Sequence, residues 1–286
     1  MNAVHTLRHQ HAIKTLCRVL KVQRSTYYKH FTSEQSNRSI QNQDIRSKIL
    51  TIYTASNKRL GVHKIRRCLE REYGIKISAG RIYRLMKGMT LPKMSTSTPA
   101  YKPAEKTDES SCVNHVKQNF KTDKPNLVWV SDITYIKVSG RFYYICVIID
   151  IFSRKVIAWE LGSKIDTDLV IRTLQKAYQT RKPSKDLIFH SDRGCQYTSS
   201  KFRKLIDDLG IVQSFSAKGY PYDNAVSESF FKYLKKEELY RRSYSSQEDL
   251  KLALFKYIDG FYNKSRPHSA NEMLSPDERE KLFSIS

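Results

Sequence analysis

Apolar positions in the first ninety residues recur at helical spacing. In "HAIKTLCRVLKVQRSTYYKHF", residues 11–31, Ile13, Leu16, Leu20 and Tyr27 follow that spacing, which breaks near Val22 to Arg24. Ser25 is placed to cap a second helix, so the stretch predicts a small helix-turn-helix unit. A polar stretch, "TSEQSNRSIQNQD", separates it from a longer helical block running from about Asp44 to Met89, which divides into two helices around Gly74. In the second of these Ser78 can cap, Ile82, Leu85 and Met86 form the apolar stripe, and Arg81, Arg84 and Lys87 lie off it. Such a helix can lie along DNA with its basic residues at phosphate or groove.

Periodicity then fades. From Thr90 to about Pro125 the chain reads "TLPKMSTSTPAYKPAEKTDESS", rich in Pro, Ser, Thr and charge, and predicts a linker. Beyond it, "LVWVSDITYIKV", "RFYYICVIIDIF" and "KVIAWELG" are β-rich runs joined by short turns, a three-stranded antiparallel meander. A helix over 168–180, a strand over 186–190, a helix over 199–209, a strand over 211–215 and a helix from about Asn224 follow. Three hairpin-linked strands followed by alternating helices and strands cannot make an all-parallel sheet. The fold class is therefore α/β, a mixed five-stranded sheet flanked by helices, behind an all-α N-terminal region. The division expected is a helical DNA-binding region at 1–92, a linker at 93–124, and a sheet-based core with a C-terminal helical extension at 125–286.

Charge sharpens this picture. The 286 residues carry a formal net charge of +23, and residues 1–104 hold 21 basic against 4 acidic side chains. A polyanionic partner is expected, gripped mainly by the first third of the chain. No apolar run approaches the ~20 residues of a membrane helix, and the N-terminus lacks the apolar core of a signal peptide. Five singly scattered cysteines with no CxxC pair argue against disulfides and zinc. His5 and His9 have a zinc-finger spacing but no cysteine pair follows them, so they read as surface histidines. These features predict a soluble, cytoplasmic, nucleoid-associated protein.

Three carboxylates interrupt their local patterns. Asp132 lies in "VWVSDITYI", where alternation puts it on a largely apolar face with Val128, Val130, Thr134 and Ile136. A lone carboxylate buried there needs a basic side chain or a metal ion. Asp192 stands where the fourth strand should end, followed by Arg193 and Gly194. Glu228 sits one turn into the helix "NAVSESFFKYLKKEEL", away from the stripe of Val226, Phe230, Tyr233 and Leu234 and on a face shared with Lys232 and Lys235. Each has an ordinary reading: Asp192 as a turn former before glycine, Glu228 as the partner of Lys232 in a helical i,i+4 pair. Asp223 reads as a helix N-cap.

Taken together, "WVSDITYI", "DIFSRKVIAWE", "HSDRGCQYTS", "KGYPYDNAVSESFFKYLKKE" and "YNKSRPHSA" resemble the catalytic core of retroviral-integrase-like DDE transposases over roughly residues 110 to 280. The ordered set more narrowly resembles OrfB-type proteins of the insertion-sequence-three family. "LGVHKIRRCLEREYGIKISAGRIYRLMKGM" resembles their helix-turn-helix block, although "LGVHKIRR" departs from the Tyr-Gly-Tyr-Arg-Arg-like run common there.

The resemblance implies a ribonuclease H-like core with Asp132, Asp192 and Glu228 as the catalytic, metal-binding triad. The 35 residues between Asp192 and Glu228 match the implied DD(35)E spacing. It further implies Mg2+, two ions with Mn2+ able to substitute, and DNA strand cleavage followed by strand transfer during transposition. Arg193, Lys232 and Lys235 are candidate DNA contacts beside the metals, and Arg81, Arg84 and Lys87 in the N-terminal region. "YNKSRPHSA", with Asn263, Arg266 and His268, is either chemistry or a clamp on the core. Implied partners are double-stranded DNA as element end and target, further copies of the chain on that DNA, and the upstream OrfA product as fusion or partner. Two rival readings are a DNA-binding regulator without catalysis and a ribonuclease H-like nuclease that releases ends without joining them. A tyrosine recombinase would need a C-terminal arginine and histidine cluster, whereas the HxxR of His63 and Arg66 lies far upstream.

Overall fold

The computed structural model describes residues 2–32, 37–91, 112–117, 119–217 and 224–285. Two compact units divide the chain, Met1–Pro92 and Lys93–Ser286.

In the first unit, α1 (Asn2–Leu7), α2 (Ile13–Val19) and α3 (Arg24–Thr32) close on a small core of Val4, Leu16, Cys17 and Tyr27. Ser25 falls inside α3 and does not cap it, because the helix already begins at Arg24 and Tyr27 N–H donates to the Gln23 carbonyl. Next come α4 (Asn37–Ala55), α5 (Val62–Tyr73) and α6 (Ala79–Gly88), which bury Ile45, Ile49, Ile65, Leu69, Ile82 and Leu85. The start of α4 at Asn37 puts a full turn and more of the polar stretch into helix. Arg81 on α6 explains this, since its guanidinium donates to Gln41 Oε1 at 2.7 Å and Asn42 Oδ1 at 2.9 Å. Tertiary hydrogen bonds thus hold turns that have no apolar stripe.

Gly74 ends α5 in the left-handed region at φ +66°, where its N–H and that of Ile75 satisfy the Glu70 and Leu69 carbonyls. Ser78 caps α6, its hydroxyl accepting from Arg81 N–H at 3.3 Å. The apolar stripe of α6 is inward, with Ile82 and Leu85 buried and Arg84 and Lys87 exposed.

The second unit is built on a sheet ordered β3-β2-β1-β4-β5. Strands β1 (Val128–Val138) and β2 (Arg141–Asp150) pair antiparallel from Trp129↔Asp150 to Val138↔Arg141 around the two-residue Ser139-Gly140 turn. Both turn residues have positive φ, 46° and 83°, as a tight hairpin demands. β3 (Val156–Gly162) joins β2 antiparallel, while β4 (Ile188–Ser191) and β5 (Val212–Phe215) are parallel to β1.

Helices α7 (Thr167–Arg181), α8 (Cys195–Thr198) and α9 (Ser200–Asp208) follow, and Trp129, Ile148, Leu169, Leu174, Phe189 and Phe202 are among the buried side chains of the main core. Asp166 caps α7 and Ser199 caps α9. Then come α10 (Ala225–Leu234), continued by a π-helical turn over Lys235–Leu239, α11 (Gln247–Tyr257) and α12 (Pro276–Ile285). Most of the expected linker and the proposed cap Asp223 lie outside the described residues. Among those residues no helix is long and apolar enough to cross a membrane.

Candidate active site

Strand register brings the first two carboxylates level. β4 runs parallel to β1 with Val130 opposite His190. Two residues further along each strand stand Asp132 and Asp192, and residues paired in parallel strands direct their side chains to one face. The fourth strand ends at Ser191, so Asp192 is the first residue past it.

The electrostatics agree with this geometry. Burial pushes the Asp132 carboxyl up to about 8, with repulsion from Asp192 and Glu228 adding to the rise. The Ile133 N–H, donating to Asp132 Oδ1 at 2.8 Å, and the Lys235 ammonium pull the other way. Burial also raises Asp192, against the Gly194 N–H that donates to its Oδ1 at 3.0 Å, and raises Glu228. Asp192 and Glu228 still keep solvent-exposed faces. Among the described residues no three His, Cys, Asp or Glu side chains are gathered tightly enough to be a ready-made metal cage.

Gly194 has a local task that its sequence position only hinted at. A Cβ there would lie 3.0 Å from both Asp192 Oδ1 and Gln196 Oε1. The absent side chain thus makes room for the Asp192 carboxylate to fold back onto the Gly194 N–H. Arg193 Nε donates to the Ser216 carbonyl at 3.0 Å, tying the Asp192 loop to the end of β5.

The lysines separate. Lys232 is exposed with Glu228, whereas Lys235 is half-buried. The shared helical face holds, and what differs from the expectation is exposure, since α10 packs on β1 and leaves Lys235 half-buried. Lys235, seven residues on from Glu228 and on the same helical face, lies near Asp132, where burial lowers its pKa and the carboxylate counters that. Arg81, Arg84 and Lys87 belong to the other unit, where Arg81 is engaged with α4.

Sequence reasoning missed Tyr197 and Glu237 and left Asn263 and Arg266 open between chemistry and a clamp. Tyr197 on α8 is buried, and its hydroxyl lies 2.8 Å from Ser131 Oγ beside Asp132. It links the helix that follows Asp192 to the strand that carries Asp132. Asn263 and Arg266 prove to be clamps. Asn263 bonds both the N–H and the carbonyl of Val156, at 3.0 and 2.9 Å, and Arg266 forms a buried pair with Glu237. The clamp reading of Asn263 and Arg266 is the one the hydrogen bonds support, whereas Tyr197 and Glu237 carried no local signal.

Comparison with known proteins places these features. Residues 122–221 and 209–276 match two models described as integrase core domain, and residues 40–93 match an HTH-like domain. The chain is 34% identical over 250 residues to the transposase for insertion sequence element IS904 of Lactococcus lactis, covering 87% of this chain and 98% of that protein. It is 33% identical to transposase InsF for insertion sequence IS3A of Escherichia coli, over 98% of both chains, and 30% identical to the IS629 transposase of Shigella sonnei, over 100% of this chain and 97% of that one. Solved structures that resemble it include the HTLV-2 integrase catalytic core domain in complex with magnesium, at 17% identity and TM-score 0.41 over 55% of this chain and 98% of that one. The BIV integrase catalytic core matches at 20% identity and TM-score 0.42, over 56% and 97%. An integrase core domain behind an HTH-like domain, matched nearly end to end by these relatives, makes the chain a member of the IS3 family of insertion-sequence transposases, polynucleotidyl transferases whose work is transposition.

Proposed function

We propose that the chain cuts DNA at the ends of its element and joins the freed strand to target DNA at a site made by Asp132, Asp192 and Glu228. The observation that carries this reading is the convergence of three carboxylates from β1, the end of β4 and the first turn of α10, with Asp132 close enough to feel the charges of the other two. A protein gains nothing in stability from such a cluster, so its use lies in what it can bind.

The donor set fits a hard divalent cation, since all three side chains offer carboxylate oxygen and a cation would relieve the charge that lifts Asp132. Asp132, Asp192 and Glu228 would hold Mg2+, as two ions, or Mn2+ in its place. Such ions, when bound, supply activation of the attacking oxygen and neutralisation of the leaving one. Asp132 and Asp192 are fixed by strand pairing and by the Ile133 and Gly194 N–H groups. Glu228, exposed on its helix, completes the site when DNA arrives. Lys232, Lys235 and Arg193 meet the phosphates flanking the scissile bond. In the N-terminal unit Arg84 and Lys87 present charge to the duplex while Arg81 orients α6 on α4. The working assembly contains further copies of the chain on DNA and the upstream OrfA product, as fusion or partner.

The test is to incubate the purified chain with labelled, pre-branched DNA in Mg2+ or Mn2+ and resolve the products. Metal-dependent nicking together with joined strands is the expected result. Release of ends without joining would identify a nuclease, and binding with neither reaction would favour a regulator or a requirement for OrfA.

A further inference from the structure

Two large aromatic side chains stand exposed near the proposed cutting site. Tyr135 on β1 is 61% exposed and Phe142 on β2 is 48% exposed, and their rings meet edge to face at 5.5 Å. Cross-strand register explains the meeting. Tyr135 pairs with Tyr144 and Lys137 with Phe142, so Tyr135 and Phe142 are diagonal neighbours on one face of the hairpin. Cations accompany both rings, with Lys137 Nζ 5.8 Å from the centroid of Phe142 and Lys235 Nζ 5.9 Å from that of Tyr135.

The position of this pair is informative. Tyr135 follows Asp132 by three residues on the same strand, about 10 Å along it, and strand alternation turns its side chain to the opposite face of the sheet. β4 pairs with β1 over Val128–Val130, and among the described residues no sheet partner continues along that edge past Asp132. Lys235 links the two places, since its amine feels the Asp132 carboxylate and lies over the Tyr135 ring. Two exposed rings flanked by ammonium groups suit a ligand with flat π-faces and negative charge, which describes an unpaired nucleotide. Base–aromatic stacking of this kind tolerates any base.

We propose that Tyr135 and Phe142, with Lys137 and Lys235, form a stacking site for unpaired bases of the DNA strand next to the scissile phosphate. The site holds the frayed or splayed end while Asp132, Asp192 and Glu228 act on the phosphate a short distance away. Its placement beside the cut rests on the function proposed above, but its binding does not require catalysis.

The experiment uses the full chain carrying Glu228→Gln, so that no DNA is cut, and fluorescent 2-aminopurine in a three-nucleotide overhang, 5′ or 3′, on a labelled duplex. The expected result is quenching of the 2-aminopurine on binding, with about tenfold tighter binding to an overhang duplex than to a blunt one. Tyr135→Leu with Phe142→Leu should abolish that preference while leaving blunt-duplex affinity and melting temperature unchanged, and Tyr135→Phe should retain it. Either leucine change alone, at a site already exposed, should weaken the preference, so the result does not hang on one variant. Absence of any preference in the parent, or its survival in the double variant, would overturn the proposal. A change of oligomeric state in the double variant with the preference intact would do so too, by marking the rings as a protein contact. Because DNA joining by the unmutated chain is measured separately, loss of the stacking site and loss of the catalytic reading are distinguishable.

Discussion

Arg266 and Glu237 form a two-pronged ion pair in which Nε and Nη2 each approach a carboxylate oxygen at 2.8 Å, with both side chains only 2% exposed. Tyr257 adds a hydroxyl donor to Glu237 at 2.9 Å, and the guanidinium lies 4.0 Å from the Tyr233 ring centroid. The pair joins the π-helical turn that carries Lys235 to the segment after α11, and so holds the far end of the helix that bears Glu228.

Removing one member leaves the other charged and buried. Arg266→Ala is expected to cost about 3–5 kcal/mol by leaving Glu237 without its partner. Arg266→Met combined with Glu237→Leu should recover most of that loss, because apolar side chains of similar size need no desolvation of charge. Urea unfolding of the three proteins measures this, and equal instability of the single and double variants would contradict it.

Gly194→Ala should separate activity from stability. Its φ of −57° is ordinary for any residue, and the atoms a Cβ would crowd are the ends of the Asp192 and Gln196 side chains. Stability should fall by less than about 1 kcal/mol, whereas displacement of Asp192 should lower strand joining at least tenfold. Parallel melting and joining assays test the pair of outcomes.

Tyr197→Phe keeps the ring in its contact with Phe202, at 5.7 Å between centroids, and deletes only the hydroxyl bonded to Ser131. A cost of about 1 kcal/mol is expected. Joining should drop several-fold, since the tie between the Asp192 helix and the Asp132 strand is cut, while DNA affinity measured by anisotropy stays the same.

Glu280 gives the core a dependence on acid. Burial would raise its pKa, but Arg181 at 2.7 Å, Lys155 at 3.2 Å and Ser153 at 2.8 Å together hold it below the ordinary glutamate value. A carboxylate lowered in the folded state adds stability that is fully present above its unfolded pKa, near 4.5, and is lost as pH falls through the folded value. Glu280→Gln should therefore cost about 2 kcal/mol at pH 7 and much less near pH 3. Asp150, which burial raises to about 6 with the Glu280 charge adding to the rise, acts in the opposite direction between about pH 4 and 6, so Glu280→Gln also relieves Asp150 and part of its cost at pH 7 is offset. Denaturant unfolding at both pH values checks the sign.

The order of strands and helices was legible because each run in the second unit has one period and is bounded by turn residues. Ser78 and Gly74 were legible as boundaries for the same local reason. What escaped prediction depends on contacts between distant positions. The start of α4 is held by Arg81 from forty residues away, and Glu237 meets Arg266 across 29 positions with no shared period. The π-helical turn at Lys235 has no proline or glycine to announce it, and the half-burial of that lysine beside Asp132 comes from the packing of α10 on β1. The carboxylates themselves stood out because each violates a local pattern, and what the sequence left open was the level register of Asp132 and Asp192.

The central claim is that Glu228 acts with Asp132 and Asp192 on DNA. The most direct measurement compares the parent chain with Glu228→Gln for metal-dependent joining of pre-branched DNA, alongside DNA affinity and melting temperature. Glu228 is exposed, so the change should leave fold and binding intact while joining falls by at least a hundredfold. Joining at the parent's rate in a folded, DNA-bound Glu228→Gln protein would show that the chemistry lies elsewhere.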